Sequence, residues 1–234
     1  MTVGTVVVMF SHERREDARA ATIRDFAEVG CPVAHVRVQE EPIGQARGRR
    51  NAWLALREAA LVIAPEVSAR GVLVIEDDVI PAGTLPEWLA YLEGTQDRPV
   101  SLYLPTDLQA RMLTARLGRW EAERHKPVES RVVSMREPKF WWGSQAVWLP
   151  VALAERVALD ARFGLRERGL GPWDYALRVA FVEAGATLGV AVPNVVQHRD
   201  ERNLVVPGRR LHRSVMFDPT AAAPILKEEQ DASR

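Results

Sequence analysis

The feature that most constrains the fold is a short apolar run, residues 71–75 (GVLVI), that leads directly into Glu76, Asp77 and Asp78. Its length and β-branched composition predict a strand rather than a helix. Because the run has no polar alternation, we expect a central strand that is buried on both faces, as in parallel α/β sheets. Such a strand delivers its last residues to the carboxyl edge of the sheet, where ligands of open α/β folds bind.

The three acids that end this strand repel one another unless a positive group lies among them. A divalent cation with a bound diphosphate would satisfy them, since hard cations bind carboxylate and phosphate oxygens. A solvated acidic turn after a strand explains the same residues. The motif alone leaves both interpretations open.

Composition sets the class of protein but not its partner. A chain of 234 residues with 47% apolar residues fits one domain with a sizeable core. Lys and Arg together number 31, as do Asp and Glu, so net charge does not indicate a nucleic-acid partner. Basic clusters at residues 47–50, 124–139 and 209–213 are either local anion sites or solvated surface.

Features of targeting and redox state indicate a soluble protein. Cys31 is the single cysteine, so no intrachain disulfide can form. The first apolar run lacks the basic flank of a signal peptide, and no run reaches transmembrane length. We therefore expect a reducing cytoplasm.

Strand and helix patterns alternate along the first half of the chain. Strands are predicted at residues 3–10, 32–38, 71–75 and 100–104. Helices are predicted at residues 13–29, 45–64 and 84–92, and Thr84 with Glu87 forms a capping-box pattern at the start of the last. This alternation predicts an α/β fold with a mostly parallel sheet flanked by helices.

The second half has a different character. Residues 111–138 are charged and irregular, which predicts a flexible excursion, and the aromatic-rich residues 140–150 lead into a strand. Further predictions are helices at 151–160 and 172–184, the latter ended by Gly185, a strand at 187–192, and a frayed polar tail at 218–234.

The order of these motifs resembles the GT-A class of nucleotide-sugar glycosyltransferases over residues 3–217. The motifs are EDD at 76–78, WWG at 141–143, DYAL at 174–177, QHRD at 197–200 and RRLHR at 209–213. Within that class the chain is most similar to short glycosyltransferases of actinobacteria and their phages. The resemblance implies a Rossmann-like domain at 1–217, with a nucleotide-binding half (1–105), an acceptor and catalytic half ending in a basic flap (106–217), and a tail (218–234).

The resemblance also implies a metal site. In the family the last acid of the motif binds the metal and the first holds the ribose, which assigns Asp78 and Glu76 to these roles. Strand alternation directs both to one face and Asp77 to the other. His198 is the implied second ligand, although a structural histidine is the alternative. A carboxylate and imidazole site suits Mn²⁺ better than Mg²⁺, so Mn²⁺ (or Mg²⁺) is the expected cofactor.

Asp174 is the candidate general base. It lies two residues inside a helix opened by Pro172, where the family places its catalytic acid. A carboxylate opposite the leaving diphosphate can accept a proton from the acceptor. The alternative is a structural acid in the first helical turn, which the helix dipole favours.

Nucleotide-sugar binding is assigned to a larger set. Arg47 and Asn51 lie four residues apart on one helix face, Trp142 is a candidate for stacking, and the C-terminal arginines resemble a flap over a diphosphate. Structural or solvated roles are the alternative for each of these residues. The full set is Ser11, His12, Arg14, Arg47, Asn51, Glu76, Asp77, Trp142, Arg199, Arg209, Arg210 and Arg213.

The sequence therefore predicts a metal-dependent, inverting glycosyltransferase with a nucleoside-diphosphate sugar as donor. The candidate acceptor from the phage-like resemblance is a hydroxylated or hydroxymethylated base in DNA, flipped out of the duplex to reach the site. Polysaccharide, lipid-linked sugar and a small metabolite are the other acceptors considered. A nucleotidyltransferase and a non-catalytic nucleotide-sugar-binding module are the rival classes.

Overall fold

A seven-stranded sheet forms the centre of the structure, a computed structural model that describes residues 4–40, 44–104, 130–134, 145–165, 170–199 and 217–224. Its strands are β1 (Thr5–His12), β2 (Val33–Gln39), β3 (Gly71–Glu76), β5 (Val100–Ser101), β6 (Arg131–Ser134), β7 (Ala146–Pro150) and β8 (Gly189–Val192). The spatial order is β2-β1-β3-β7-β5-β8-β6, with β6 and β7 antiparallel to the other strands. Two further strands, β4 (Val79–Pro81) and β9 (Val196–His198), pair with each other.

Helices cover both faces of this sheet. They are α1 (Glu16–Glu28), α2 (Gln45–Glu58), α3 (Ala64–Glu66), α4 (Leu85–Thr95), α5 (Val151–Leu159) and α6 (Trp173–Glu183). A π-helical turn, Ala59–Ile63, joins α2 to α3. None of the described helices is long and apolar enough to span a membrane.

Strand β3 is buried on both faces, as its continuous apolar run predicts. Val72 and Val74 pack into a core cluster with residues of α2, α5 and α6. Leu73 and Ile75 alternate with them and join a second cluster with residues of α1 and α4. The predicted fold class is confirmed in its architecture: a Rossmann-like α/β domain whose mostly parallel sheet is flanked by helices.

Several predicted boundaries differ from the structure. The helix expected from residue 13 begins as a 3-10 turn, Glu13–Arg15, before α1. Strand β6 lies within the segment expected to be irregular, and the strand expected at 100–104 is only two residues long. Gly185 has the expected position after α6, with a φ of 67° and backbone bonds that satisfy the last helical carbonyls.

The predictions of a capping box and of a wholly frayed tail are wrong. Thr84 precedes α4, but its hydroxyl donates to the carbonyl of Ala221 at 2.6 Å instead of accepting from the helix. The indole of Trp88 donates to the same carbonyl at 3.0 Å, and Ala221 is buried. Residues 217–224 therefore pack against α4, whereas residues 225–234 lie outside the described part.

Candidate functional site

The three acids and His198 are brought together by the β4–β9 ladder. Strand β3 ends at Glu76, and a two-residue turn formed by Asp77 and Asp78 leads into β4. The ladder pairs Val79 with His198, so the imidazole comes from β9 to the side of Asp78. The backbone N–H of Arg199 then donates to the Asp78 carbonyl at 2.6 Å, which fixes the position of the turn relative to β9.

The geometry of Asp78 and His198 would allow both side chains to bind one ion. His198 Nε2 lies 3.2 Å from Asp78 Oδ2, and each of Glu76, Asp78 and His198 offers a ligand atom within 4.8 Å of the others. Two ligands at right angles around an ion about 2.1 Å away lie about 3 Å apart. This cluster can therefore hold a divalent metal.

The tautomer of His198 supports this interpretation. Its Nδ1 lies 2.5 Å from the carbonyl of Arg199, so in the neutral ring Nδ1 carries the proton and donates it. Nε2 then presents a lone pair to the Asp78 carboxylate, and two acceptors at 3.2 Å repel each other unless a cation or a proton lies between them. Metal-ligating histidines commonly donate their other ring N–H to a backbone carbonyl in this way.

Burial of Asp78 provides a second indication. The residue is 2% exposed, and its Oδ1 is buried without a hydrogen-bond partner among the described residues. A buried carboxylate oxygen without a donor is costly, whereas a coordinated cation would satisfy it. The donor set of two carboxylates and one imidazole suits a divalent cation, and it includes Glu76, which the sequence analysis assigned to the ribose.

Asp77 bonds to the end of β1 and to the 3-10 turn that follows it. Its Oδ2 accepts from the Ser11 hydroxyl at 2.6 Å and from the His12 N–H at 3.4 Å, and its Oδ1 lies 3.0 Å from Nε of Arg15. Burial raises the pKa of Asp77 to about 6, although the charge of Arg15 acts in the opposite direction. The Thr22 hydroxyl of α1 lies within hydrogen-bonding distance of the carbonyls of Asp77 and Val79 and so links the turn to α1.

Two residues of this site were missed in the reading of the sequence. Arg15 bonds both Asp77 and Asp78, whereas the predicted Arg14 is exposed. The aromatic ring of Tyr103 lies 6.2 Å from the ring of His198, and burial, together with the charges of Glu76 and Asp78, raises its pKa. Arg14 and Arg15 both follow β1 in the sequence, and the orientation of the 3-10 turn determines that Arg15 faces the acids.

A polar cleft of about 260 Å³ lies at the carboxyl ends of the first strands. Asn51 belongs to its lining but uses its amide nitrogen to donate to the carbonyls of Ser11 and Arg37. Ser11 therefore contacts the cleft lining through its carbonyl and the acidic cluster through its hydroxyl. The lining consists of Arg37, Val38, Gln39, Glu40, Arg47, Arg50, Asn51 and Leu54.

Asp174 lies in the first turn of α6 and is partly exposed. Its Oδ1 accepts from the N–H of Tyr175 at 2.8 Å. The segment before α6 is held by Arg49, which is 2% exposed and donates to the carbonyls of Phe163, Leu165 and Gly171. The helix start is thus positioned by a buried cation on α2.

Arg199, predicted to bind the donor, forms an ion pair with Asp25 on α1. Its guanidinium is therefore engaged by the protein, while its backbone contacts both Asp78 and His198. The remaining predicted donor-binding residues, Trp142, Arg209, Arg210 and Arg213, lie outside the described part of the chain.

Comparisons with known proteins do not assign the chain to a family. No family model matches it, and no curated protein matches it. Similar solved structures include a glycosyltransferase involved in the glycosylation of the major capsid of PBCV-1, with 10% identity and a TM-score of 0.33, covering 70% of this chain and 68% of that one.

A mannose-1-phosphate geranyltransferase from Thermus thermophilus has 13% identity and a TM-score of 0.40, covering 80% of this chain and 73% of that one. A197 from STIV has 12% identity and a TM-score of 0.37, covering 96% of this chain and 99% of that one. At these values the similarities carry no information about activity, which depends on the chemistry of the site itself.

Proposed function

We propose that this protein is a metal-dependent glycosyltransferase that moves a sugar from a nucleoside-diphosphate sugar to an acceptor hydroxyl. The observation that carries the proposal is the facing pair of Asp78 Oδ2 and His198 Nε2, 3.2 Å apart and buried at the end of the central strand. With Glu76, this pair supplies the ligands for Mn²⁺ or Mg²⁺, and a polar cleft lies on the other side of Ser11.

The cleft supports binding of the donor. Three guanidinium groups, from Arg37, Arg47 and Arg50, outnumber the single carboxylate of Glu40 among its lining residues. Guanidinium groups match phosphate oxygens in geometry and charge, and Gln39 and Glu40 can bond ribose hydroxyls or a base edge. The nucleoside is proposed to lie here, so that its diphosphate extends past Ser11 to the metal ligands.

Other predicted donor contacts remain part of the proposal. His12, at the end of β1, and Arg14, in the 3-10 turn, are proposed to contact the donor, and Trp142 is proposed to stack on the sugar or base. A basic flap formed by Arg209, Arg210 and Arg213 is proposed to cover the diphosphate. Arg199 is assigned instead to positioning, since its guanidinium pairs with Asp25 and its backbone holds Asp78 and His198.

The reaction is a single displacement with inversion. Asp78, Glu76 and His198 would hold a cation, which when bound would neutralise the charge that develops on the leaving diphosphate. Asp174 accepts the proton of the acceptor hydroxyl as the hydroxyl oxygen bonds to the anomeric carbon. The bond between the anomeric carbon and the phosphate oxygen breaks in the same step, and its electron pair leaves with the diphosphate.

For the acceptor, we propose a hydroxyl on a hydroxylated or hydroxymethylated DNA base, on the basis of the phage-like resemblance. A polysaccharide, a lipid-linked sugar and a small metabolite are the other acceptors for the test. Mass spectrometry of each candidate after incubation with mixed nucleotide sugars and Mn²⁺ would identify the acceptor that gains the mass of a sugar residue.

Calorimetric titration with a panel of nucleoside diphosphates, with and without Mn²⁺, tests the donor site. We expect Mn²⁺-dependent binding that Asp78→Asn abolishes and that Asp97→Asn, at an exposed position, leaves unchanged. Metal-independent binding would refute the proposed metal role. Transfer of a nucleotidyl group would indicate a nucleotidyltransferase, and donor binding without transfer to any acceptor would indicate a binding module.

A further inference from the structure

Arg15 forms ionic contacts with two adjacent acids of the candidate metal site. Its Nε lies 3.0 Å from Asp77 Oδ1, and its Nη2 bonds Asp78 Oδ2. The side chain is 14% exposed, while the two carboxylates are 5% and 2% exposed. A guanidinium with two separate carboxylate partners is therefore held in a largely buried position between them.

The contacts on Asp78 are unequal. Oδ2 is approached by both Arg15 and His198, whereas Oδ1 is buried without a partner among the described residues. An ion that binds between Asp78 Oδ2 and His198 Nε2 would share the carboxylate oxygen that Arg15 already contacts, whether or not it also binds Oδ1. Because the guanidinium of Arg15 is positively charged, it also repels a cation that binds to the same carboxylate.

The contact with Asp77 is independent of the contact with Asp78. It uses a different nitrogen of Arg15 and a carboxylate whose other oxygen is fixed by Ser11 and His12. The guanidinium can therefore lose its bond to Asp78 and stay anchored at Asp77. Its released Nη2 would then be a donor at the edge of the metal site.

We propose, building on the metal-dependent function above, that Arg15 is the resident cation of the metal-free site and exchanges with the divalent ion. The ion takes over Asp78, and Arg15, still held by Asp77, donates its released Nη2 to an oxygen of the bound diphosphate. Arg15 thus lowers the affinity for the free metal and raises the affinity for the diphosphate that arrives with it.

If this exchange occurs, Arg15→Gln should change the affinities for Mn²⁺ and for a diphosphate in opposite directions. Mn²⁺ binding, measured by titration with paramagnetic resonance detection, should become about tenfold tighter because a competing positive charge is gone. Binding of methylenediphosphonate at saturating Mn²⁺ should become about tenfold weaker because a charged hydrogen bond is lost. Arg15→Lys, which keeps the charge, should bind Mn²⁺ like the wild type.

Thermal denaturation gives a second measurement on the same proteins. Without metal, Arg15→Gln should melt lower than the wild type because Asp77 and Asp78 lose their counter-charge, and Mn²⁺ should restore most of the difference. Arg24→Gln, an exposed position on α1, removes the same charge and should change neither Mn²⁺ affinity nor the metal-induced shift.

The outcomes separate this inference from the proposed function. If the wild type binds Mn²⁺ and Arg15→Gln binds it equally or more weakly, the exchange is refuted while the metal site stands. If neither protein binds Mn²⁺, both proposals fail. Tighter Mn²⁺ binding with unchanged methylenediphosphonate affinity would overturn the role of Arg15 on the diphosphate.

Discussion

Replacing Asp174 by asparagine separates a catalytic carboxylate from a structural one. Asp174 lies in the first turn of α6, where its Oδ1 accepts from the N–H of Tyr175 at 2.8 Å. Asparagine keeps an acceptor oxygen, so only the interaction of the negative charge with the helix dipole is lost. That interaction contributes about 0.3–1 kcal/mol, which in a chain of this size lowers the melting temperature by at most about 4 °C.

The expected effect on turnover is far larger. Loss of a general base reduces the rate by roughly 10²–10⁴-fold, which corresponds to about 3–5 kcal/mol in the activation barrier. Destabilisation of about 1 kcal/mol cannot produce such a loss while the protein remains folded. Donor affinity should change little, since the metal ligands and the cleft residues are unchanged.

The assay combines melting temperature, donor affinity and single-turnover rate on this one variant. Asp160→Asn is the matched control, because Asp160 Oδ1 accepts from the N–H of Arg162 at the start of another helical segment. Asp160 also pairs with the Arg162 side chain, so its replacement should cost at least as much stability without a comparable rate loss. Turnover of Asp174→Asn within a few-fold of the wild type would refute the base assignment.

Three further predictions concern the scaffold around the site and are all measured by chemical denaturation. Arg49→Met should destabilise the protein by roughly 3 kcal/mol or more, because three backbone carbonyls lose their charged donor. A decrease in the free energy of unfolding below about 1 kcal/mol would contradict this prediction. Gly71→Ala should cost about 1–3 kcal/mol, since an added Cβ would clash with the indole ring of Trp148. An unchanged denaturation midpoint would show that the ring can move. Trp88→Phe should destabilise the protein by about 1 kcal/mol or more, because the hydrogen bond to the Ala221 carbonyl is lost. The same variant should be cleaved faster by a protease at residues 217–224. An unchanged cleavage rate would show that this hydrogen bond does not hold the segment.

The fold could be predicted from the sequence where an element is long enough to show a pattern of apolar residues. Strand β3 has no polar residue before Glu76, so its burial on both faces followed from sequence. The ladder of β4 and β9 could not be predicted in this way, because strands of three residues are too short to show a period. The resemblance supplied the pairing of Asp78 with His198 instead.

The parts of the site that sequence reasoning missed depend on orientation within short segments. The choice between Arg14 and Arg15 is made by one 3-10 turn, whose direction has no signal in composition. The cleft depends on Arg37 at the end of β2 and Arg50 on α2, which resemble ordinary surface arginines until the two elements are brought together. Asn51, predicted to bind the donor, lies in the cleft lining, where its amide nitrogen donates to the carbonyls of Ser11 and Arg37.

The central claim, that His198 and Asp78 ligate one divalent ion, is tested most directly by electron spin-echo modulation of bound Mn²⁺. The tautomer fixed by the Arg199 carbonyl leaves Nε2 available to the ion, so we expect a ¹⁴N coupling from a directly ligated imidazole in the wild type. The coupling should be absent in His198→Gln. Bound Mn²⁺ without nitrogen coupling in the wild type, or the same coupling in the variant, would contradict the claim.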